Sequence, residues 1–366
     1  MTRRFTRHLI TFLLLFCFVE FSCRAVDPRE EIEMISSRFN LDSIAAWGKF
    51  PRFCVRTYRW GDKFFNNFDS TYVRSTGTRF NVKLVNENWN NSYIFTFEDD
   101  DNARMILRSD ATSSLGLWVS YMAVSLGYNV NLSKIHNPGY QSSQKFNFQF
   151  SCALFTAELY SIWNKAPVTL DRFSKDGMQT IHHDFSFDGL RSRTFGINLF
   201  YYFNNKRYSM AATTNFGKIQ RKSQGSWVAA FAWWKQNCHY DFSSLPDEVR
   251  LELPEMWRDS PYSARLRNYT LSGGYAFNWV LGRHWTIGFM ETPSVGLRFG
   301  KINMSRAETT FTAFNKATLS AVYNRGTLFA GVYGLAMTNL LFDRKYSIYS
   351  SYYSVTATVG YRFNLW

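Results

Sequence analysis

Histidines and carboxylates close together in a chain are the first candidates for chemistry. His182, His183 and Asp184 are contiguous, and Asp188 follows four residues later. Imidazole and carboxylate can hold a divalent ion or pass a proton. Adjacent side chains diverge on an extended chain, however, so these two rings do not converge on one ion. The plain reading is an incidental stretch of loop. Glu98, Asp99, Asp100, Asp101 and Asn102 offer oxygen ligands for Ca²⁺ but lack the spacing of a calcium loop, and read as a solvated hairpin tip. Beyond the first 25 residues the histidines are His136, His182, His183, His239 and His284. No Gly-x-Ser-x-Gly elbow accompanies them. An outward site could be built from His182 or His239 with an aspartate, but nothing in the sequence selects one. No residue is therefore assigned to catalysis, to a cofactor or to a metal, and no cofactor is expected. Glycine-rich phosphate loops are absent, as are a peptidoglycan-binding domain, a carbohydrate module and a plug of independent fold.

The elements that would position such groups are strands. Aromatics make up 19% of the 366 residues, with 35 Phe, 21 Tyr and 12 Trp. Mean hydropathy is nevertheless only −0.27. Beyond the first 25 residues no run of about 18 apolar residues supports a membrane helix. Many aromatics with weak mean hydropathy is what alternating barrel strands produce. Ala357, Val359, Tyr361, Phe363 and Leu365 alternate with Thr356, Thr358, Gly360, Arg362 and Asn364. Successive strand residues face opposite ways, so this segment has one apolar face and one polar or small face. Leu271, Gly273, Tyr275, Phe277 and Trp279 repeat the pattern, as does the stretch from Phe195 to Phe203. Several apolar rows end on Tyr or Trp, among them Tyr201, Trp233, Trp279, Trp285 and Tyr361. Aromatic girdles at two lipid–water boundaries predict that placement.

Strands are expected at 78–86, 113–121, 124–131, 145–158, 193–203, 207–214, 225–235, 269–279, 285–297, 314–324, 327–341 and 354–366. The fold class is all-β: a transmembrane antiparallel up-and-down β-barrel of about 12 strands, with 10 to 14 open. Segment 92–97 is assigned to a long hairpin or loop. Asn324-Arg325-Gly326, 280–284 and Met122-Ala123 read as short turns on one side, with 236–268 and 298–313 as long loops on the other. That alternation breaks between 159 and 224, where 159–192 falls on the short-turn side and Asn204-Asn205 on the long-loop side. Trp366 is a terminal aromatic, but Leu365 is the residue in phase with the apolar row.

Residues 1–25 read as a signal peptide: Arg3, Arg4 and Arg7, a largely apolar run from Leu9 to Cys23, and a small-x-small site at Cys23-Arg24-Ala25. Lipidation at Cys23 is the alternative, which Glu20 and Phe21 fit poorly. Residues 26–76 lack alternation and are expected to be a periplasmic lead-in, with a short helix from Asp42; the barrel takes 77–366. Net charge is +14, and +11 once the four Arg and one Glu of the first 25 residues are removed. The cations are scattered near turns, which argues against nucleic acid and for contact with lipopolysaccharide phosphates. Cys54, Cys152 and Cys238 are too few for a disulfide framework, though Cys54 and Cys238 could pair.

Four separated motifs carry a family likeness. They are Phe187-Asp188-Gly189-Leu190-Arg191-Ser192-Arg193-Thr194-Phe195-Gly196-Ile197-Asn198; Tyr201-Tyr202-Phe203-Asn204-Asn205-Lys206-Arg207-Tyr208-Ser209; Gln220-Arg221-Lys222-Ser223-Gln224-Gly225-Ser226; and Gly274-Tyr275-Ala276-Phe277-Asn278-Trp279. From about residue 75 to the end the chain resembles a Bacteroidota family, domain of unknown function 4421. The resemblance implies an outer-membrane barrel and supplies no catalytic residues. Within the third motif, Gln220, Arg221 and Ser223 suit a tight polar turn bonded inside the wall or to lipid phosphate. The expected protein is a non-enzymatic barrel of the bacterial outer membrane, with a structural, adhesive or narrow-channel role. Its expected partners are outer-membrane lipid, lipopolysaccharide and the barrel-assembly machinery. A side-chain-filled lumen or the N-terminal segment could close it. An outer-membrane hydrolase or acyltransferase, and a soluble periplasmic β-sandwich or lipocalin-like binder, are the alternatives.

Overall fold

The computed structural model describes residues 67–78, 80–97, 102–121, 124–132, 143–177, 180–258, 261–302, 308–342 and 346–364, with scattered positions between 45 and 61 and at 135. Residues 1–63 with Trp366 form one compact unit and Phe64–Leu365 the other. In the first unit the described residues include helical backbone at Ala45, Ala46 and 51–53. The signal-peptide segment, Asp42, Cys54, His136, Glu98 to Asp101, Leu365 and Trp366 lie outside the described residues. No helix among the described residues is long and apolar enough to cross a membrane.

The second unit is built from strands β1 (Val73–Ser75), β2 (Phe80–Phe97), β3 (Ala103–Ser109), β4 (Thr112–Tyr121), β5 (Val124–Asn131), β6 (Gln144–Ser151), β7 (Phe155–Asn164), β8 (Val168–Ser174), β9 (Ile181–Phe187), β10 (Leu190–Tyr202), β11 (Lys218–Gln220), β12 (Gln224–Tyr240), β13 (Tyr262–Leu281), β14 (Trp285–Ile302), β15 (Glu308–Arg325), β16 (Leu328–Phe342) and β17 (Tyr346–Phe363). Twelve of them form an antiparallel ring in the order β2, β4, β5, β6, β7, β10, β12, β13, β14, β15, β16 and β17, and β17 returns to β2. The closing seam runs from Phe80 opposite Phe363 to Phe97 opposite Tyr346. At β5 and β6 the ring narrows to one pair, Val124 opposite Phe150. Closure removes the exposed edges that an open sheet would present.

The ring has a turn end and a loop end. Gly282-Arg283-His284, Gly326-Thr327 and Cys152-Ala153-Leu154 make tight reversals at the turn end, where Phe80 and Phe363 also sit. Gly282 and Gly326 take φ of +65° and +63°, which glycine reaches without a Cβ clash. At the loop end, β3, β8 and β9 continue the sheet beyond the ring, β3 pairing with the upper part of β2 from Ser92 to Phe97.

The strand count agrees with expectation, but two of its assignments are corrected. The single strand expected at 145–158 is two, β6 and β7, folded back at Cys152-Ala153-Leu154. The strand expected at 207–214 is instead a turn followed by a 3₁₀ turn, Met210–Ala212. The two errors cancel in the count. Their correction also restores the alternation: the excursion from 165 to 189 lies at the loop end and 203–223 at the turn end. Segment 92–97 is strand, not loop. The connections expected at 236–268 and 298–313 shrink to 241–261 and 303–307, because the strands run past the apolar belt. The sandwich alternative is overturned by the single sheet closing on itself.

Burial follows the two faces of each strand. Outward residues include Trp227 (67% exposed), Leu271 (68%) and Val359 (60%). Inward residues include Arg298 (2%), Lys316 (4%) and Arg362 (1%). Along the belt these charges lie inside and the large apolar side chains outside, the reverse of a water-soluble domain.

Candidate functional site

The inward rows place charges from well-separated strands together. Lys316 on β15 donates to both Glu158 carboxylate oxygens on β7, at 2.9 and 2.7 Å, and Asn198 on β10 donates to Glu158 at 3.0 Å. Lys316 also lies 4.6 Å from the centre of the Phe200 ring. Lys145 on β6 donates to Glu87 on β2 at 2.6 Å and to the Tyr352 hydroxyl on β17 at 3.1 Å. Arg298 on β14 donates to Asn268 at 2.6 Å and to Thr312 and Asn339 at 3.1 Å each. Buried charges persist where a partner offsets lost hydration, and each of these has one.

The segment between β10 and β12 fills the turn end of the lumen. Tyr208 packs on Tyr202, and with Met210 it joins Phe200, Val228, Ala276 and Met290 in one buried cluster. Phe216 lies on Phe329 with ring centres 4.8 Å apart. Its φ of +62° is unusual for a bulky residue. The Arg362 guanidinium holds this conformation by donating to the Phe216 carbonyl at 2.7 Å, and also donates to Asn324 and to the Gly326 carbonyl. Gln220 of the same segment is buried. Its amide donates to the carbonyls of Tyr72, Arg207 and Lys222, and its oxygen accepts from the Ser209 N–H and from Asn278. Arg221 donates to the Ser70 carbonyl, and Ser223 accepts from the Val280 N–H. The polar run therefore bonds to the protein itself. β1 pairs with β11, so residues 73–75 are tied to this segment.

An apolar core fills the loop end. Phe242, Leu245, Val249, Leu253 and Trp257, from the connection between β12 and β13, pack on Phe95, Phe97, Met105 and Leu170. Trp257 stacks on Tyr262, centres 4.4 Å apart, and meets Phe95, Phe97 and Tyr346 edge-on. Cys238, a free thiol, is buried in the same core.

Of the histidines singled out from sequence, His182 and His183 sit on the backbone of β9 with side chains outside the described residues, and Asp184 is exposed on the same strand. His284 holds a turn, its Nδ1 lying 3.1 Å from the Asn324 carbonyl oxygen. Of the histidines whose side chains are described, His239 is the one beside a cleft. With Asp188, Arg191, Asp241, Ser243 and Ser244 it lines a surface cleft of about 470 Å³ at the loop end. His239 Nδ1 lies 3.0 Å from Ser263 Oγ across the β12–β13 ladder. The Asp241 carboxyl sits below the usual carboxylate range, chiefly because the Ser243 backbone and side chain bond to it, with a smaller effect of the His239 charge; burial works against both. The carboxylate that would orient the imidazole is thus engaged by Ser243. Sequence spacing could not have paired His239 with Ser263, because the strand register alone brings them together. No group of three metal-binding side chains occurs among the described residues.

A filled, antiparallel, outward-apolar barrel defines the class, and the family follows from the chain itself. Residues 67–363 match the family model described as domain of unknown function DUF4421, so the chain belongs to that family. No curated protein matches. Among solved structures, the outer membrane protease OmpT from Escherichia coli is similar at 8% identity and TM-score 0.36, covering 79% of this chain and 100% of that one. The translocator domain of autotransporter NalP from Neisseria meningitidis is similar at 11% identity and TM-score 0.26, covering 90% and 99%. Ail, the attachment invasion locus protein of Yersinia pestis, is similar at 7% identity and TM-score 0.21, covering 77% and 99%. None of these likenesses is close enough to carry an activity across.

Proposed function

We propose that this protein is an integral barrel of a bacterial outer membrane whose lumen is shut, and that it acts through the surface at its loop end, in a structural or adhesive role. The supporting observation is the inverted burial: Trp227 and Leu271 are two-thirds exposed while Arg298 and Lys316 are enclosed. A surface of exposed large apolar side chains on eleven of the twelve ring strands suits lipid rather than water. The short turns and both strand termini then face the periplasm, and the loop end faces outward. Export through a signal peptide at residues 1–25 and insertion by the barrel-assembly machinery belong to this reading. Cell fractionation with a carbonate wash, followed by gel migration with and without boiling, tests it. The expected result is retention in the outer membrane and a band that shifts on boiling; release into the wash with an unshifted band contradicts it.

The Ser263–His239 contact favours a second reading, a hydrolase acting at the outer face. Ester or peptide turnover abolished by His239→Ala in a barrel that still shifts on boiling supports it. Turnover unchanged in that variant removes it.

A further inference from the structure

Five cations stand on the outward face of three neighbouring strands at the loop end. They are Arg191 and Arg193 on β10, Lys235 on β12, and Arg265 and Arg267 on β13, all exposed. The ladder arranges them in rows. Arg193, Asn237 and Arg265 face one another across the strands, and the next row down is Phe195, Lys235, Arg267 and Phe299. Lys235 and Arg267 are therefore directly opposed like charges, an arrangement that costs stability unless an anion lies between them. None of the five forms an ion pair among the described residues. By contrast, Arg108, outward on β3, is paired with Asp171 at 3.1 Å. Asp188 and Asp241 line the same cleft as Arg191, where Asp241 is bonded to Ser243.

Depth identifies the anion. The row below Lys235 and Arg267 is Ile197, Trp233, Tyr269 and Leu297, and the one below that is Leu199, Phe231, Leu271 and Val295. Two residues of strand span about 7 Å. The cations thus stand one step above the aromatic girdle, at the level of lipid headgroups. Arg193 is already positioned, its guanidinium 4.4 Å from the centre of the Trp163 ring on β7. On β2, across the ring, the outward residues Asn88, Asn90 and Ser92 are uncharged.

We infer that this wall is a binding site for the phosphate groups of a phosphorylated glycolipid of the outer leaflet. Arg193, Lys235, Arg265 and Arg267 hold the phosphates, and Trp233, Tyr269 and Phe195 lie against the upper acyl chains. The inference rests on the outer-membrane location proposed above.

The test uses the full-length protein in detergent micelles and reads lipid retention by native mass spectrometry. The probes are bisphosphorylated lipid A, the same lipid with its phosphates removed, and phosphatidylglycerol. The wild-type barrel should retain bisphosphorylated lipid A in preference to both others. Replacing Arg193, Lys235, Arg265 and Arg267 with Gln should weaken that retention by about a thousandfold. The charge-preserving set Lys235→Arg, Arg265→Lys and Arg267→Lys should restore most of it. Equal retention of phosphorylated and dephosphorylated lipid A, or unchanged retention in the Gln variant, overturns the site. Preference for phosphatidylglycerol overturns the glycolipid assignment. A protein that shifts on boiling but shows no phosphate discrimination loses this inference alone, whereas one that washes off membranes loses the location as well.

Discussion

Lys316 and Glu158 meet across the lumen from β15 and β7, and each needs the other because Lys316 is buried and Glu158 is largely enclosed. Removing one partner leaves a buried charge uncompensated, at a cost of about 3–5 kcal/mol. Lys316→Ala should therefore lower the temperature at which the gel band shifts, and the exchange Lys316→Glu with Glu158→Lys should recover much of it. An unchanged transition in the single variant would show that the pair contributes little. At the loop end Asp241 makes a second prediction. Its carboxyl is held below its unfolded value of about 3.9, so its contribution is complete above that pH and is lost as pH falls through the lower, folded value. Protease nicking of 241–261 should rise as pH drops below about 4. Asp241→Asn should show raised nicking already at pH 7 and a flatter response to acid; a variant indistinguishable from wild type at both pH values would contradict the assignment. At this scale the sequence was least informative. It offered His182, His183 and His239 on equal terms, and only the register of β12 against β13 distinguishes His239 by setting it beside Ser263.

The segment from Phe203 to Ser223 is the element on which closure of the turn end depends. Inward glycines make room for it. A Cβ on Gly288 would come within 2.7 Å of the Thr213 methyl, and one on Gly331 within 2.8 Å of the Phe216 ring. Gly288→Val should push the 209–217 segment out of the lumen while leaving the ladder between β14 and β15 intact. Limited proteolysis from the turn end should then cut within 203–223, and a variant as resistant as wild type would show that the segment does not depend on this contact. This element was also the hardest to recognise. Tyr208, Met210 and Ala212 alternate with Ser209, Ala211 and Thr213, which imitates a strand, but their apolar side chains pack inside the barrel instead of facing lipid. Conversely, the reversal at Cys152-Ala153-Leu154 contains no Gly, Pro, Asn or Asp, and the alternation runs straight through it. A turn without turn residues leaves no local signal.

For the whole molecule, the alternation carried most of the information, because lipid outside and a crowded lumen inside impose opposite chemistry on successive residues. The antiparallel barrel, ten of its twelve ring strands and the outward phase of the last strand were legible for that reason. β3, β8 and β9 were not, because they rise past the belt into an apolar core where both the pattern and the neighbours change. In the proposed reading the barrel is crossed by ion pairs and stoppered at each end, by 203–223 below and by 242–257 above. Single-channel recording of the purified full-length protein in planar bilayers tests this closure most directly. The closed lumen predicts a quiet baseline from the wild-type protein and discrete openings once Gly288→Val displaces the turn-end segment. Steady, large openings from the wild-type protein would contradict it.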